Sequence, residues 1–373
     1  MPRLKLSDVA KINMGQSPSS ETYNTDRNGL PFYQGNVDFG EKYPSARIWC
    51  DKPTKIAEPD DILISVRAPI GALNYAKEEC CIGRGLAAIT PDANKTSPEF
   101  IYWLLRANHA HLNRMGTGST FKAINRKTLE DIALPNYKKD EQYDIAKILS
   151  KIDDAIRSKK SQIKQLDELV KARFVEMFGG FDLAPQCNEW TKLSELGEIV
   201  SGSTPKTGTA EYWDGDICWI TPAELNSMSG IVYDSKKKIT EAGKNSCSLR
   251  LMPVNTVILS SRAPIGKVAI LGKEMCCNQG FKNIICNEKI SPKYLYYLLA
   301  YNTDYLNSLG RGATFKEISK KIVEDIKIPL SSIEQQVGFI NFAEQVDKSK
   351  FAVQNSLEKT QQLFDSLMPE YFG

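Results

Sequence analysis

Between Glu141 and Phe178 the chain holds neither glycine nor proline, and apolar side chains return every seventh residue at Leu149, Ile156, Ile163, Val170 and Met177. Ile145, Ile152 and Leu166 fill the interleaved positions, and only Lys159 and Arg173 interrupt the stripe. A seven-residue apolar repeat is a seam along one face of a helix, and such a seam needs a partner helix. A second seam supplies one: Phe339, Ala343, Val346, Val353, Leu357, Phe364 and Leu367 share the register from Glu334 until Pro369 and Gly373, broken by Lys350 and Thr360. At 1.5 Å per residue each helix is roughly 50 to 55 Å long. The economical arrangement is an antiparallel pair with a globular unit at each end, related by a pseudo-twofold axis. The alternative is a helical hairpin that closes a single core.

The two seams belong to a larger repeat. Leu6-Ser7-Asp8-Val9, Gly15 and Pro18 answer to Leu193-Ser194-Glu195-Leu196, Gly202 and Pro205 at an offset of 187, and SVRAPIG at Ser65 returns as SSRAPIG at Ser260, offset 195. From Ser97 to Pro135 against Ser291 to Pro329 the offset is 194 and 19 of 39 positions are identical. The second copy therefore carries a net insertion between Pro205 and Ser260, where the copies are largely unalike. Within each copy, Asp61 to Arg67 and Thr256 to Arg262 read as buried strands. Ser97 to about Asn113 and Ser291 to about Asn307 read as helices with Ser-Pro starts. The expected class is α/β (mixed α+β): two similar globular domains separated by two long helices that form an antiparallel coiled coil, a pseudo-twofold internal repeat.

Composition narrows the function. At 373 residues, 42% hydrophobic and 25% charged, the chain suits two ordinary cores. Arg3, Lys5, Asp8 and Lys11 break up the opening stretch and no apolar run reaches membrane-spanning length, so a cytoplasmic location without membrane attachment is expected. The cysteines include the neighbours Cys80-Cys81 and Cys276-Cys277 but no CxxC pair, and the two histidines, His109 and His111, are too close along a helix to share a face. No metal site or bound cofactor is expected. Phosphate-loop, HExxH, GxSxG and amino-methyltransferase motifs are absent, the nearest to the last being Leu134-Pro135-Asn136-Tyr137. A net charge of +3 permits DNA binding without demanding it.

Candidate contact residues fall at matching places in the copies. Gly116-x-Gly118 and Gly310-x-Gly312 suit backbone turns that approach a phosphate chain, with Thr117, Ser119, Thr120, Lys122, Arg126 and Lys127 near the first and Arg311, Thr314, Lys316 and Lys320 near the second. The plain alternative is a helix-to-helix turn with solvated charges. Gln16 and Ser17, like Thr204, Lys206 and Thr207, open the divergent stretch with short polar side chains of the kind that read base edges, or else form a surface turn. Arg67 and Arg262 are common to both copies, which suits phosphate positioning or a buried ion pair equally. Arg84 and Gln279 complete the set. Lys236-Lys237-Lys238 reads as a solvated charge run, and Trp213 and Trp219 as packing residues.

Gly202 to Leu225 (GSTPKTGTAEYWDGDICWITPAEL) resembles the opening of a target recognition domain in type I restriction-modification specificity subunits. So do the Gly, Thr-Phe-Lys and Ile patterns at 116 to 124 and 310 to 318, and the Asp140-Glu141-Gln142 and Glu334-Gln335-Gln336 starts of the long helices. Copy one departs in having Tyr23 and Tyr33 about where copy two has Trp213 and Trp219. The resemblance implies recognition domains at 1–139 and 181–333 with helical spacers at 140–180 and 334–373. It also implies a chain without catalysis of its own that binds double-stranded DNA. Two modification (methyltransferase) subunits dock on it and restriction (motor nuclease) subunits join, so that S-adenosylmethionine, ATP and Mg belong to those partners. The competing readings are a coiled-coil scaffold for two protein-binding domains, an autonomous enzyme, and the specificity subunit of a type IIB-like system.

Overall fold

The computed structural model describes residues 4–117, 122–179, 190–226, 228–247, 249–262, 264–312 and 316–373. It divides into two compact units: unit 1 is Met1–Ser161 with Gln354–Gly373, and unit 2 is Gln162–Val353. Each long helix, Lys139–Phe178 and Ile333–Phe372, is 40 residues long, and each begins in one unit and ends in the other.

Unit 1 is built on a four-stranded antiparallel sheet in the order Ala10–Met14, Leu86–Pro91, Ile62–Ser65, Leu73–Tyr75. Unit 2 repeats that order with Gly197–Ser201, Phe281–Cys286, Val257–Ser260 and Val268–Leu271, then adds Met228–Val232, a strand that lies in the insertion. The apolar runs Ile62-Leu63-Ile64 and Val257-Ile258-Leu259 are fully buried because each sheet is covered on both faces. Alternation divides them: Ile62 and Ile64 point into the helical core and Leu63 into the core under a smaller second sheet, as Val257 and Leu259 do opposite Ile258.

The expected helix from Ser97 is two helices, Pro98–Ala107 and His109–Met115, and its counterpart is Pro292–Tyr301 followed by Thr303–Ser308. The break falls on an asparagine each time. Asn108 Nδ2 donates to Leu104 O at 2.9 Å, which also accepts from the Asn108 amide at 3.0 Å, and Asn302 Nδ2 donates to Leu298 O at 2.7 Å while its amide turns to Leu299 O at 3.3 Å, local side-chain bonds of the kind that compete with helix continuation.

The long helices run antiparallel within each unit. In unit 1, Ser97, Trp103 and Arg106 meet Gln142, Ser150 and Asp153 in ascending order, while Phe100 and Trp103 meet Phe372 and Phe364 in descending order. In unit 2 the Phe174 and Phe339 rings are 5.2 Å apart and Asp167 pairs with Lys350. Leu149, Ile156, Val170, Val346 and Phe364 are buried, and Ile152, Ile163, Leu166, Val353 and Leu357 half-buried. Two details differ from the sequence reading. The second helix passes through Pro369 to Phe372, giving up the hydrogen bond that an amide at 369 would have made to Asp365 O. Phe174 and Phe178, outside the heptad, are buried in the core of unit 2.

Candidate nucleic-acid interface

In unit 1, loops distant in sequence are tied together just beyond strand Ile62–Ser65. The Val66 amide donates to Gly85 O at 2.9 Å, Ile124 to Val66 O at 2.9 Å, Ala68 to Lys122 O at 3.1 Å, Gly85 to Gln34 O at 3.1 Å and Gln16 to Ile82 O at 3.0 Å. The Arg84 amide donates to Ser17 Oγ at 3.3 Å. Backbones this close require glycine: a Cβ on Gly85 would stand 2.3 Å from Gln34 O, and one on Gly15 2.2 Å from Gly83 O. The exposed Arg67 and Arg84 thereby line one concavity of about 220 Å³ with Gln34 and Asn36. Thr117 pairs across a β-bridge with Ala123, and Ala123 bridges in turn to Arg67, which brings the exposed Thr117 and Lys122 to the same loops. Gln16 is exposed, and Arg126 is held by Glu130 at 2.7 Å. Ser119 and Thr120 lie outside the described residues.

Unit 2 repeats the bracing. Ser261 donates to Gly280 O at 2.8 Å, Ile318 to Ser261 O at 2.9 Å and Asn278 to Ile220 O at 2.9 Å. Arg311 bridges to Glu317, and Arg311, Lys316 and Lys320 are exposed, the last paired with Glu324 at 3.6 Å. Asn278 Nδ2 donates to Thr204 Oγ1 at 2.9 Å and to the exposed Gln279 Oε1 at 3.1 Å. Lys206 and Thr207 are exposed on a turn fixed by Trp213 Nε1 donating to Lys206 O at 3.2 Å. Thr314 lies outside the described residues.

Three features were not read from the sequence. Gln34 and Asn36 reach the unit 1 concavity; their signal was a pair of amides directly after a buried strand in the divergent stretch. In unit 2 the buried cation is Lys282, which donates to Ser261 Oγ at 3.3 Å and lies 3.6 Å from Glu317, while Arg262 is half-buried beside them. Burial holds the Lys282 ammonium below its ordinary pKa, and Glu317 opposes that shift. Unit 1 has Ala87 and Ala123 at these two places. Finally, parallel pairing sets Phe32 against Cys81 and Trp219 against Cys276. The counterpart of Trp219 is therefore Phe32 rather than Tyr33, and Tyr23–Phe32 at 4.7 Å matches Trp213–Trp219 at 5.1 Å. Tryptophan and phenylalanine alike pack the corner rather than offering a free ring, Trp219 being 3% and Phe32 2% exposed.

The Gln142 and Gln336 side chains have a structural task. Gln142 Oε1 accepts from Thr96 Oγ1 at 2.6 Å and the Ser97 amide at 3.2 Å, and Gln336 Oε1 accepts from the Ser291 amide at 2.8 Å. Each locks the start of a long helix to the start of the helix beside it. Among the described residues no group of three or more His, Cys, Asp or Glu side chains is placed to hold a metal ion, and no helix is long and apolar enough to cross a membrane.

A duplicated α+β unit, each copy carrying half of two antiparallel helices and one braced, arginine-bearing loop cluster, defines an internally repeated two-unit protein. The family model described as "Type I restriction modification DNA specificity domain" matches residues 3–168 and 187–363, and the chain belongs to that family. It is 43% identical over 161 residues to the putative type I restriction enzyme MjaX specificity subunit of Methanocaldococcus jannaschii, a stretch covering 43% of this chain and 38% of that relative. The MjaIX specificity subunit of the same organism is 40% identical over 173 residues, covering 45% and 40%. The chain thus spans about two fifths of the length of these curated relatives (38% and 40%). In fold it is similar to the type I restriction-modification S subunit from M. genitalium, with TM-score 0.62, 17% identity, and coverage of 100% of this chain and 96% of that one.

Proposed function

We propose that this chain is the specificity subunit of a type I restriction-modification complex, with unit 1 and unit 2 each reading one half of a split DNA target. The observation that carries the reading is the repeated loop cluster: the same backbone bracing in both units, bearing different polar side chains. Constant bracing suits phosphate positioning, and variable side chains suit base readout. Arg67 and Arg262, shared by both units, are assigned to phosphates; Gln34 and Asn36 in unit 1, and Thr204, Lys206, Thr207 and Gln279 in unit 2, to bases.

In this reading the chain works in the cytoplasm and contributes no reacting group. Modification subunits that dock on its helices methylate the DNA with S-adenosylmethionine, and a motor nuclease subunit with ATP and Mg joins for restriction. In this reading the two long helices, each of 40 residues, set the gap between the half-sites.

The test is sequencing of methylated bases in cells holding the partner subunits with and without this chain. A split motif that appears only with the chain is expected, and its absence despite assembly would refute the reading. Arg67→Ala should weaken binding to all DNA sequences and lower the salt slope by about one while leaving the motif intact. Substitutions at Gln34 or Asn36 should alter one half of the motif.

A further inference from the structure

Comparison of the two units exposes a cation that one has and the other lacks. In unit 1, Arg106 lies against two rings, 4.9 Å from the Trp103 centroid and 5.0 Å from that of Phe364, and its Nη1 donates to Asp153 at 2.8 Å. Arg157 also pairs with Asp153, which is 4% exposed. At an offset of 194, unit 2 has Asp347 for Asp153 and Tyr297 for Trp103, but Ala300 for Arg106 and Phe351 for Arg157. The carboxylate and one of the two rings are kept, Val170 stands where unit 1 has Phe364, and both guanidinium groups are gone.

The space shows it. Unit 1 has a hollow of about 390 Å³ beside Arg106, whereas unit 2 has a cavity of about 880 Å³ walled by Tyr296, Tyr297, Ala300, Tyr301 and Asp347. Most cations on that wall are already engaged: Lys350 with Asp167, Lys293 with Glu344, and Lys164 with Glu168 at 3.6 Å. Asp347 has neither hydrogen bond nor ion pair among the described residues; Lys350 and Lys293 lie close enough to favour its charge while Asp167 and Glu344 oppose it, and of the other charges lining the cavity Asp304 adds a negative and Lys171 a positive one.

We propose that this cavity receives the guanidinium of an arginine side chain carried by a protein partner, stacked on Tyr297 and paired with Asp347. A planar cation over an aromatic face, closed by a carboxylate, is the arrangement unit 1 builds from its own chain. The source is a protein surface because apolar side chains flank the cavity: Phe351, one helical turn beyond Asp347, is 67% exposed, and Ile231, on the wall itself, 41% exposed. Only the identity of the partner, a modification subunit, rests on the proposed function.

The test fills the cavity from within. Ala300→Arg should raise the Tm of the isolated chain by about 2–4 °C. Adding Asp347→Asn should abolish that gain. In assembly with the modification subunits, Ala300→Arg and Asp347→Asn should each weaken binding at least tenfold. No thermal gain, or a gain that survives Asp347→Asn, would show that the cavity does not hold a guanidinium. Full-strength assembly by both variants would overturn the protein arginine, and so would micromolar agmatine or spermidine raising the Tm of the wild-type chain alone. Methylated-base sequencing of the wild-type complex separates failure of the DNA-reading function from failure of this site, since the thermal measurements need neither partner nor DNA.

Discussion

Lys282 and Glu317 show how one scaffold accepts different side chains at an equivalent place. In unit 1 the corresponding pair is Ala87 and Ala123, so the strand and the bridge beside it form without charge. In unit 2 the Lys282 side chain is 6% exposed and depends on the 44% exposed Glu317 and on Ser261 Oγ. Removing one partner strands the other, whereas removing both restores the arrangement unit 1 already uses. Glu317→Ala should cost about 1–2 kcal/mol, below the range for a fully buried pair because solvent screens the carboxylate. The double variant Lys282→Ala with Glu317→Ala should recover much of that loss in urea denaturation. The pH dependence has a definite sign. Burial lowers the Lys282 pKa below 10.5, so in that window the unfolded chain binds more protons than the folded one. The contribution of Lys282 to stability therefore increases as pH rises from its folded-state pKa to 10.5, and Lys282→Met should flatten that rise.

The long helices divide into what periodicity reveals and what it hides. Leu149 and Ile156 are buried in one core with Phe364 of the other long helix, and Val170 in one with Ala343 and Val346, as a seven-residue repeat predicts. Phe174 and Phe178 follow Val170 at steps of four, where the helix meets Tyr294 of the globular core as well as Phe339 of the other long helix and its apolar stripe drifts off the heptad. The heptad does not mark these two rings as buried, because part of the surface that buries them, Tyr294, comes from outside the helix pair. The loop cluster was partly legible for the same reason. Arg67 and Lys122 stand in repeated motifs, but Gln34 and Asn36 become neighbours of Arg67 only through hydrogen bonds between distant loops. Phe174→Ala should cost about 3–5 kcal/mol, read as an early transition in chemical denaturation. Val175→Ala, one residue on and 41% exposed, should change stability by less than about 0.5 kcal/mol.

At the scale of the whole molecule, the repeat in sequence and the compact units do not coincide. Unit 1 closes over Ile145, Leu149 and Ile156 with Phe364 buried and Leu357, Leu367, Met368, Tyr371 and Phe372 packed against the same core, all from the end of the chain. Unit 2 instead completes itself with Val170, Phe174 and Phe178 from the first helix. Ending the chain after Val353 should therefore loosen the amino-terminal unit, which is remote in sequence from the cut. Hydrogen exchange should show protection lost mainly at Ile62–Ser65 and Pro98–Ala107, with Val257–Ser260 retained; the opposite distribution would contradict the division described above.

This division also has a consequence for the order in which the protein is made. Translation delivers every strand of unit 1 first, yet Phe364 and the neighbours that complete its core are made only after every strand of unit 2. The amino-terminal unit must wait, with one side of its core unsealed, through the synthesis of its neighbour. A nonsense codon shortly after Val353 would spare the later-made unit and spoil the earlier one.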